Sequence, residues 1–254
     1  MTDEVLTETR GDVLVVTINR PEAKNAVNAA VATGVAAALD RLDDSEDLRV
    51  GVLTGAGGTF CAGMDLKAFA RGERPRIEGR GFAGLTEAPP ATPLIAAVEG
   101  WALAGGCELA LSADLIVAAR DARFGIPEVK RGLFAAGGGV LRLAKALPYQ
   151  RAMEMALTGD PLPAEEAHRF GLVNALTEPG GALAGARELA ARIAANGPLA
   201  VRASKQLIAG SVGWTDRAAL DAQRELADSV FASADALEGA RAFAEKRAPV
   251  WRGA

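Results

Sequence analysis

The chain has 254 residues, half of them hydrophobic, and a formal net charge of -4. That length suits one large domain, or one domain with an appendage, built on a sizeable core. The acidic balance argues against nucleic acid or an anionic membrane as partner, no apolar run is long enough to span a bilayer, and the polar start MTDEVLTETR is unlike a secretory signal, so a cytoplasmic protein is expected.

Val13 to Asn19 is a β-rich run bounded by Gly11-Asp12 and Arg20-Pro21, and reads as a strand. A helix follows, with Asn28 as N-cap and Val31, Val35, Leu39 and Leu42 on one apolar face. Val50 to Thr54 reads as a second strand, closed by the turn Gly55-Ala56-Gly57-Gly58, whose glycines fit neither a dinucleotide fingerprint nor a phosphate loop. Phe60 to Lys67 leads into a helix that begins near Asp65. Arg71 to Pro93, rich in arginine, glycine and proline, reads as a mobile surface connection, with a lid as one role open to it. Leu94 to Val98, Leu115 to Ala118 and the shorter Arg123 to Gly125 read as strands, which makes a mixed α/β core. The second half is helical: Gly137-Gly138-Gly139 opens a helix ended by Pro148, Gln150 to Leu157 and Ala164 to Phe170 are further short helices, and Val173 to Leu176 is one last strand. Beyond Pro179 the pattern stays helical, with breaks at Asn196-Gly197-Pro198, near Gly210 to Gly213 and near Ser233.

Chemistry concentrates between Gly100 and Glu128. From Ala88 to Ala119 the only charged residues are Glu99, Glu108 and Asp114. A carboxylate in so apolar a setting must be paired, hydrogen-bonded or kept neutral. Gly105-Gly106 stands before Cys107 to Leu111, which reads as a helix opening beneath a glycine turn. Two readings follow. The glycines allow close backbone packing beside a structurally paired Glu108, or the free amides of the helix start meet an oxyanion while a nearby carboxyl moves a proton. Asp114, after a helix and before a strand, reads as a structural cap. His168, the single histidine, closes a short helical pattern before Gly171 and reads as a surface or capping residue, which leaves acid-base work to carboxylates. Cys61 and Cys107 lack metal-ligand spacing and read as reduced core residues, so no metal site is expected.

Four stretches in order, Arg20 to Ala26 (RPEAKNA), Phe60 to Lys67, Gly100 to Leu111, and Phe124 to Glu128 with its following glycine-rich helix start, resemble the enoyl-CoA hydratase/isomerase (crotonase) superfamily over most of the chain. The resemblance implies a spiral of ββα units in residues 1–195 holding an acyl-CoA site, and a helical trimerisation region in 196–254, commonly within a dimer of trimers. It implies that a thioester oxygen sits between the backbone amides of Met64 and Gly105. Coenzyme A would lie along Ala23, Lys24 and Ala26 and along Ala62, Gly63, Asp65, Leu66 and Lys67. Glu108 and Glu128 match the two catalytic glutamates of the family's hydratases, Glu108 to orient and deprotonate water and Glu128 to protonate Cα. The chain departs from the pattern at Leu133 to Ala136, where many hydratases carry a proline-containing turn, and at Met64, where a small residue is common. The function so implied is hydration of a 2-enoyl-CoA to a 3-hydroxyacyl-CoA, with coenzyme A as part of the substrate and no further cofactor. The alternatives are another reaction of the superfamily, isomerase or dehydratase, or a noncatalytic acyl-CoA-binding protein.

Overall fold

A computed structural model describes residues 3–211, 213 and 215–254. β1 (Val5–Arg10) pairs antiparallel with β2 (Val13–Ile18), and α1 (Ala29–Asp44) leads to β3 (Val50–Gly55). A short α2 (Leu66–Ala70) and the small hairpin β4 (Arg76–Ile77) and β5 (Gly81–Phe82) precede β6 (Leu94–Val98) and β7 (Trp101–Leu103). Next come α3 (Gly105–Ser112), β8 (Leu115–Ala119) and β9 (Arg123–Gly125), then α4 (Gly139–Ala146), α5 (Tyr149–Thr158), β10 (Leu162–Pro163), α6 (Ala164–Arg169) and β11 (Ala175–Thr177). The chain closes with α7 (Ala182–Ala194), α8 (Pro198–Ser211), α9 (Asp216–Phe231) and α10 (Ala234–Glu245). Val212, in the expected break near Gly210 to Gly213, and Met1 and Thr2, in the polar start, lie outside the described residues.

The main sheet has the order β1-β2-β3-β6-β8-β11, parallel except for its first pair. Alternation along its strands sends side chains to two faces. Leu14, Val16, Ile18, Leu53, Ala96 and Val98 join one core with Val31, Val35, Leu39 and Leu42 of α1, while Val13, Val15, Val50, Val52, Ile95, Ala97 and Val117 pack with the alanine face of α7. The face of α7 is a stripe of alanines, Ala182, Ala186, Ala190 and Ala194, at a spacing of four. Asn28 caps α1 as expected, its side chain accepting from the Val31 amide, and Asp65 caps α2 by accepting from Lys67 and Ala68.

Several stretches differ from the sequence expectation, among them the unexpected β10 and a last strand, β11, that starts at Ala175 rather than Val173. β1 is an edge strand with one neighbour and a mostly exposed face, so VLTETR carries no apolar run to mark it. β7 is only three residues long. The segment from Arg71 to Pro93 is not a loose surface connection: Ala83, Leu85, Thr86 and Thr92 are buried, and Gly84 lies so close to α1 that a Cβ there would sit 2.7 Å from that of Ala36. Gly81, Gly84, Pro75, Pro90 and Pro93 are packed, while Gly72, Gly79 and Pro89 stay at the surface.

Candidate active site

The site is built by three extended segments that run side by side. Cys61 bridges Ala102 in parallel, and β7 pairs in parallel with β9, so Cys61, Ala102 and Phe124 stand in one row. Parallel neighbours end at the same side. Met64 and Gly105 each lie three residues beyond that row, and Glu128 lies four beyond. One edge of a small sheet thus gathers both glycine turns and one glutamate, and α3 brings the second.

The two amides are left free by distinct local geometry. Around Met64, the Val27 amide donates to the Gly63 carbonyl and the Asp65 amide to the Val27 carbonyl. In such a parallel bridge the middle residue turns its own N–H away from the partner. Gly105 is the first residue of α3, where the helix supplies no acceptor. Ala104 before it has φ 50° and ψ -127°, a region costly for a side chain by about 1 to 3 kcal/mol, and its own amide is tied to the Gly125 carbonyl at 2.8 Å. Among the described residues neither the Met64 nor the Gly105 amide donates a backbone hydrogen bond. The turns touch: a Cβ on Gly63, whose φ is +98°, would stand 3.1 Å from the Gly105 nitrogen and 2.9 Å from the Ala104 Cβ. Gly106 is required by the same approach, since a Cβ there would come within 2.0 Å of the Cys61 carbonyl oxygen.

Glu108 is 4% exposed, and its Oε1 accepts from the Gly139 amide at 2.9 Å. Gly137 presses on the same carboxyl, leaving no room for a side chain: a Cβ there would meet Oε2 at 2.7 Å. Burial pushes the Glu108 carboxyl above its usual value, against the pull of the Gly139 and Gly137 amides and of Arg142. Glu128 is also pushed up, first by burial and then by the nearby charge of Glu108, while its own amide and Arg131 oppose. Its Oε2 is buried and without a hydrogen-bond partner among the described residues. An unpartnered buried carboxylate oxygen costs about 1 to 3 kcal/mol or more, which is tolerated where a substrate supplies the partner. The Glu108 charge thus adds to burial in favouring the protonated form of Glu128.

The other acids of this apolar stretch are structural. Glu99 accepts from the Gly180 and Ala182 amides at the start of α7, and Asp114 accepts from the Leu94 amide and pairs with Lys205. His168 is exposed, as expected of a surface residue, and its Nδ1 bonds the Val173 carbonyl. Burial pushes the Cys61 thiol up to about 12 and Cys107 higher still, so both are protonated and inert.

The residues matched to coenzyme A contacts also come together. The Ala62 amide donates to the Lys24 carbonyl, Met64 bridges Val27, and Arg20 bonds Asp65 at 2.9 Å. The amide of Ala68 holds the Asp65 carboxyl below the usual range, with Arg20 adding to it. Lys24 and Asn25 both take left-handed φ, and the fully buried Asn25 side chain donates to the Ala56 and Thr59 carbonyls, which seats Ala23, Lys24 and Ala26 beside Ala62 and Gly63. Leu66 and Lys67 are exposed at the start of α2.

Two contributors escaped the sequence reading. The Phe82 ring lies against Gly105, 2.5 Å from where a Cβ would stand, and so walls the second amide. Arg142 lies half-buried behind Glu108. Leu133 and Phe134, at the departure from the family pattern, are exposed, Phe134 by 69%, whereas Ala135 packs against Gly139.

Residues 8–254 match the family described as Enoyl-CoA hydratase/isomerase. Among similar proteins, the enoyl-CoA hydratase EchA19 of Mycobacterium tuberculosis is 43% identical, with 97% of this chain and 95% of that protein covered. The carnitinyl-CoA dehydratase of Salmonella typhi is also 43% identical, over 96% of each. Among solved structures, the enoyl-CoA hydratase EchA1 of Mycobacterium marinum superposes with a TM-score of 0.98 at 63% identity, over 99% of this chain and 100% of that one. The carnitinyl-CoA hydratase of Mycobacterium avium has a TM-score of 0.81 at 44% identity, over 100% of both.

Proposed function

The chain belongs to the enoyl-CoA hydratase/isomerase (crotonase) superfamily and is an enzyme of it, and on that premise we propose that it adds water reversibly to a 2-enoyl-CoA thioester. The observation that carries this reading is the meeting of two acceptor-free amides with two carboxyls that burial has raised together. Glu108, as the carboxylate, takes a proton from water as the water oxygen bonds to Cβ. The electron pair of the double bond moves toward the thioester oxygen, and the Met64 and Gly105 amides stabilise that charge by roughly 3 to 4 kcal/mol each, judged by donor removal in other enzymes. Glu128, protonated, delivers its proton to Cα and gives the 3-hydroxyacyl-CoA. Proton exchange with solvent resets the pair. One acid of the pair must be ionised and the other neutral, and like-charge repulsion in a shared apolar site enforces that split. Because every step reverses, the same pair serves the loss of water named in the dehydratase relatives.

Ala23, Lys24, Ala26 and the 62–67 segment would hold the coenzyme A part of the substrate, which makes a separate cofactor unnecessary. Residues 1–195 would form the catalytic unit and 196–254 the contacts of a trimer or a dimer of trimers. Support for the second part comes from Ile208, Leu220, Phe231, Leu237 and Phe243, large apolar side chains left exposed on α8, α9 and α10. Purified protein added to crotonyl-CoA and to longer 2-enoyl-CoAs should bleach the enoyl-thioester absorbance and yield 3-hydroxyacyl-CoA. Thioester binding without loss of that absorbance at any chain length would overturn the reading in favour of an acyl-CoA carrier.

A further inference from the structure

Arg142 lies in the first half of α4, whose other cation, Lys145, is exposed. Its guanidinium is half-buried, and its direct partners are carbonyls from two separate parts of the chain: Nη2 donates to Thr86 O at 2.6 Å and Nη1 to Gly137 O at 3.3 Å. A half-buried cation bonded to carbonyls rather than to an acid gives up hydration without a charged partner in direct contact. Both contacts lead to the site. Gly137 presses on the Glu108 carboxyl, and two residues on, the Gly139 amide donates to it. On the other side, the Thr86 hydroxyl accepts from the Phe82 amide at 2.9 Å, and the Phe82 ring covers Gly105. Gly138, with φ +97°, wraps the guanidinium so closely that a Cβ would meet Nη1 at 2.3 Å.

We propose that Arg142 is a positioning residue for the hydration step: it clamps the glycine loop behind Glu108 to the segment that walls the Gly105 amide, and it sets its positive charge behind the carboxyl that is to accept the proton of water. This rests on the reading of Glu108 as the base. The groups that face Glu108 are few. Arg142 comes from α4, Glu128 from the turn after β9, and Cys107, neutral through burial, from α3 itself. β6 and β7, beneath α3, bring no titratable side chain. Arg142 is thus the one cation that favours the Glu108 carboxylate among the described residues. Without it the neutral form persists to higher pH, and the acid limb of the rate profile moves upward.

The test compares the full-length enzyme with Arg142→Gln, Arg142→Lys and Glu108→Gln on crotonyl-CoA from about pH 5 to 9, with near-UV circular dichroism to confirm folding. In Arg142→Gln, kcat near pH 6 should fall about tenfold further than kcat near pH 8.5, while KM stays within about twofold. Arg142→Lys should restore the acid limb but plateau below wild type, because a single ammonium cannot fork to two carbonyls. An unmoved acid limb in folded Arg142→Gln, beside an inactive Glu108→Gln, would overturn the inference. Should Arg142→Gln not fold, Arg142→Lys decides: a wild-type plateau would overturn the clamp. Wild-type turnover in Glu108→Gln would remove the base assignment itself, an outcome read from a different variant.

Discussion

Burial gives Glu108, the proposed base, a raised carboxyl and a cost in stability. Its carboxyl protonates at higher pH in the folded chain than in the unfolded one. Below the unfolded carboxylate range both states are neutral and nothing is lost, but as pH rises through the raised folded value the fold must hold a buried charge and stability falls. Glu108→Gln stays neutral at every pH and keeps an oxygen to accept the Gly139 amide. It should therefore melt at or above the wild-type Tm near pH 8, by about 2 to 4 °C for each kcal/mol relieved, with the two curves converging near pH 4. A Glu108→Gln protein less stable than wild type near pH 8 would contradict this account of burial. On crotonyl-CoA, Glu108→Gln and Glu128→Gln should each lose about 10²- to 10⁴-fold in kcat with thioester binding kept, since each loses a proton transfer rather than a contact. Wild-type-like turnover in either would remove that residue from the mechanism.

At the scale of elements, the site depends on three parallel segments ending together, and the Met64 turn separates backbone from side chain. Met64→Ala keeps the amide and should keep activity on short enoyl-CoAs, whereas Met64→Pro deletes the N–H and should lower kcat by about a hundredfold or more. A folded Met64→Pro enzyme with undiminished kcat and intact thioester binding would show that the thioester oxygen is held elsewhere. What the sequence made legible follows from the same geometry. β2, β3, β6 and β8 lie within the main sheet, so their apolar runs stood out, and the caps Asn28 and Asp65 announced α1 and α2. Glu108 was conspicuous because an acid in LAGGCELALS has no local partner; its partner, the Gly139 amide, is 31 residues away. β1 stayed hidden because an edge strand buries little. Phe82 and Arg142 stayed hidden because their meaning lies in distant contacts: a phenylalanine among arginines and glycines does not reveal that it covers Gly105, and an arginine on an amphipathic helix reads as solvent-facing.

The whole chain is closed by its last residues, and this bears on how copies would assemble. Asp235 accepts from the Arg252 and Gly253 amides, Glu238 pairs with Arg247, and the Trp251 indole donates to the Ala195 carbonyl at the end of α7. Arg49, just before β3, reaches the Ala194 and Trp251 carbonyls. The tail thus ties α10 and the end of α7 to the sheet from within. Outward, α8, α9 and α10 show Ile208, Leu220, Phe231, Leu237 and Phe243, the last 88% exposed. Each large apolar side chain moved out of water contributes about 1.5 to 3 kcal/mol, so helices that leave several exposed suit a contact surface. A cyclic assembly lets one patch meet a different patch on the next copy and close after three steps. Light scattering at micromolar concentration should therefore find a mass three or six times the 26.1 kDa of the chain. Phe243→Glu should shift that mass downward while leaving far-UV circular dichroism intact, because its side chain is free of the core within one chain. A wild-type protein that scatters only as monomer would sink the assembly, and would leave the apolar outer faces of α8, α9 and α10 without this role.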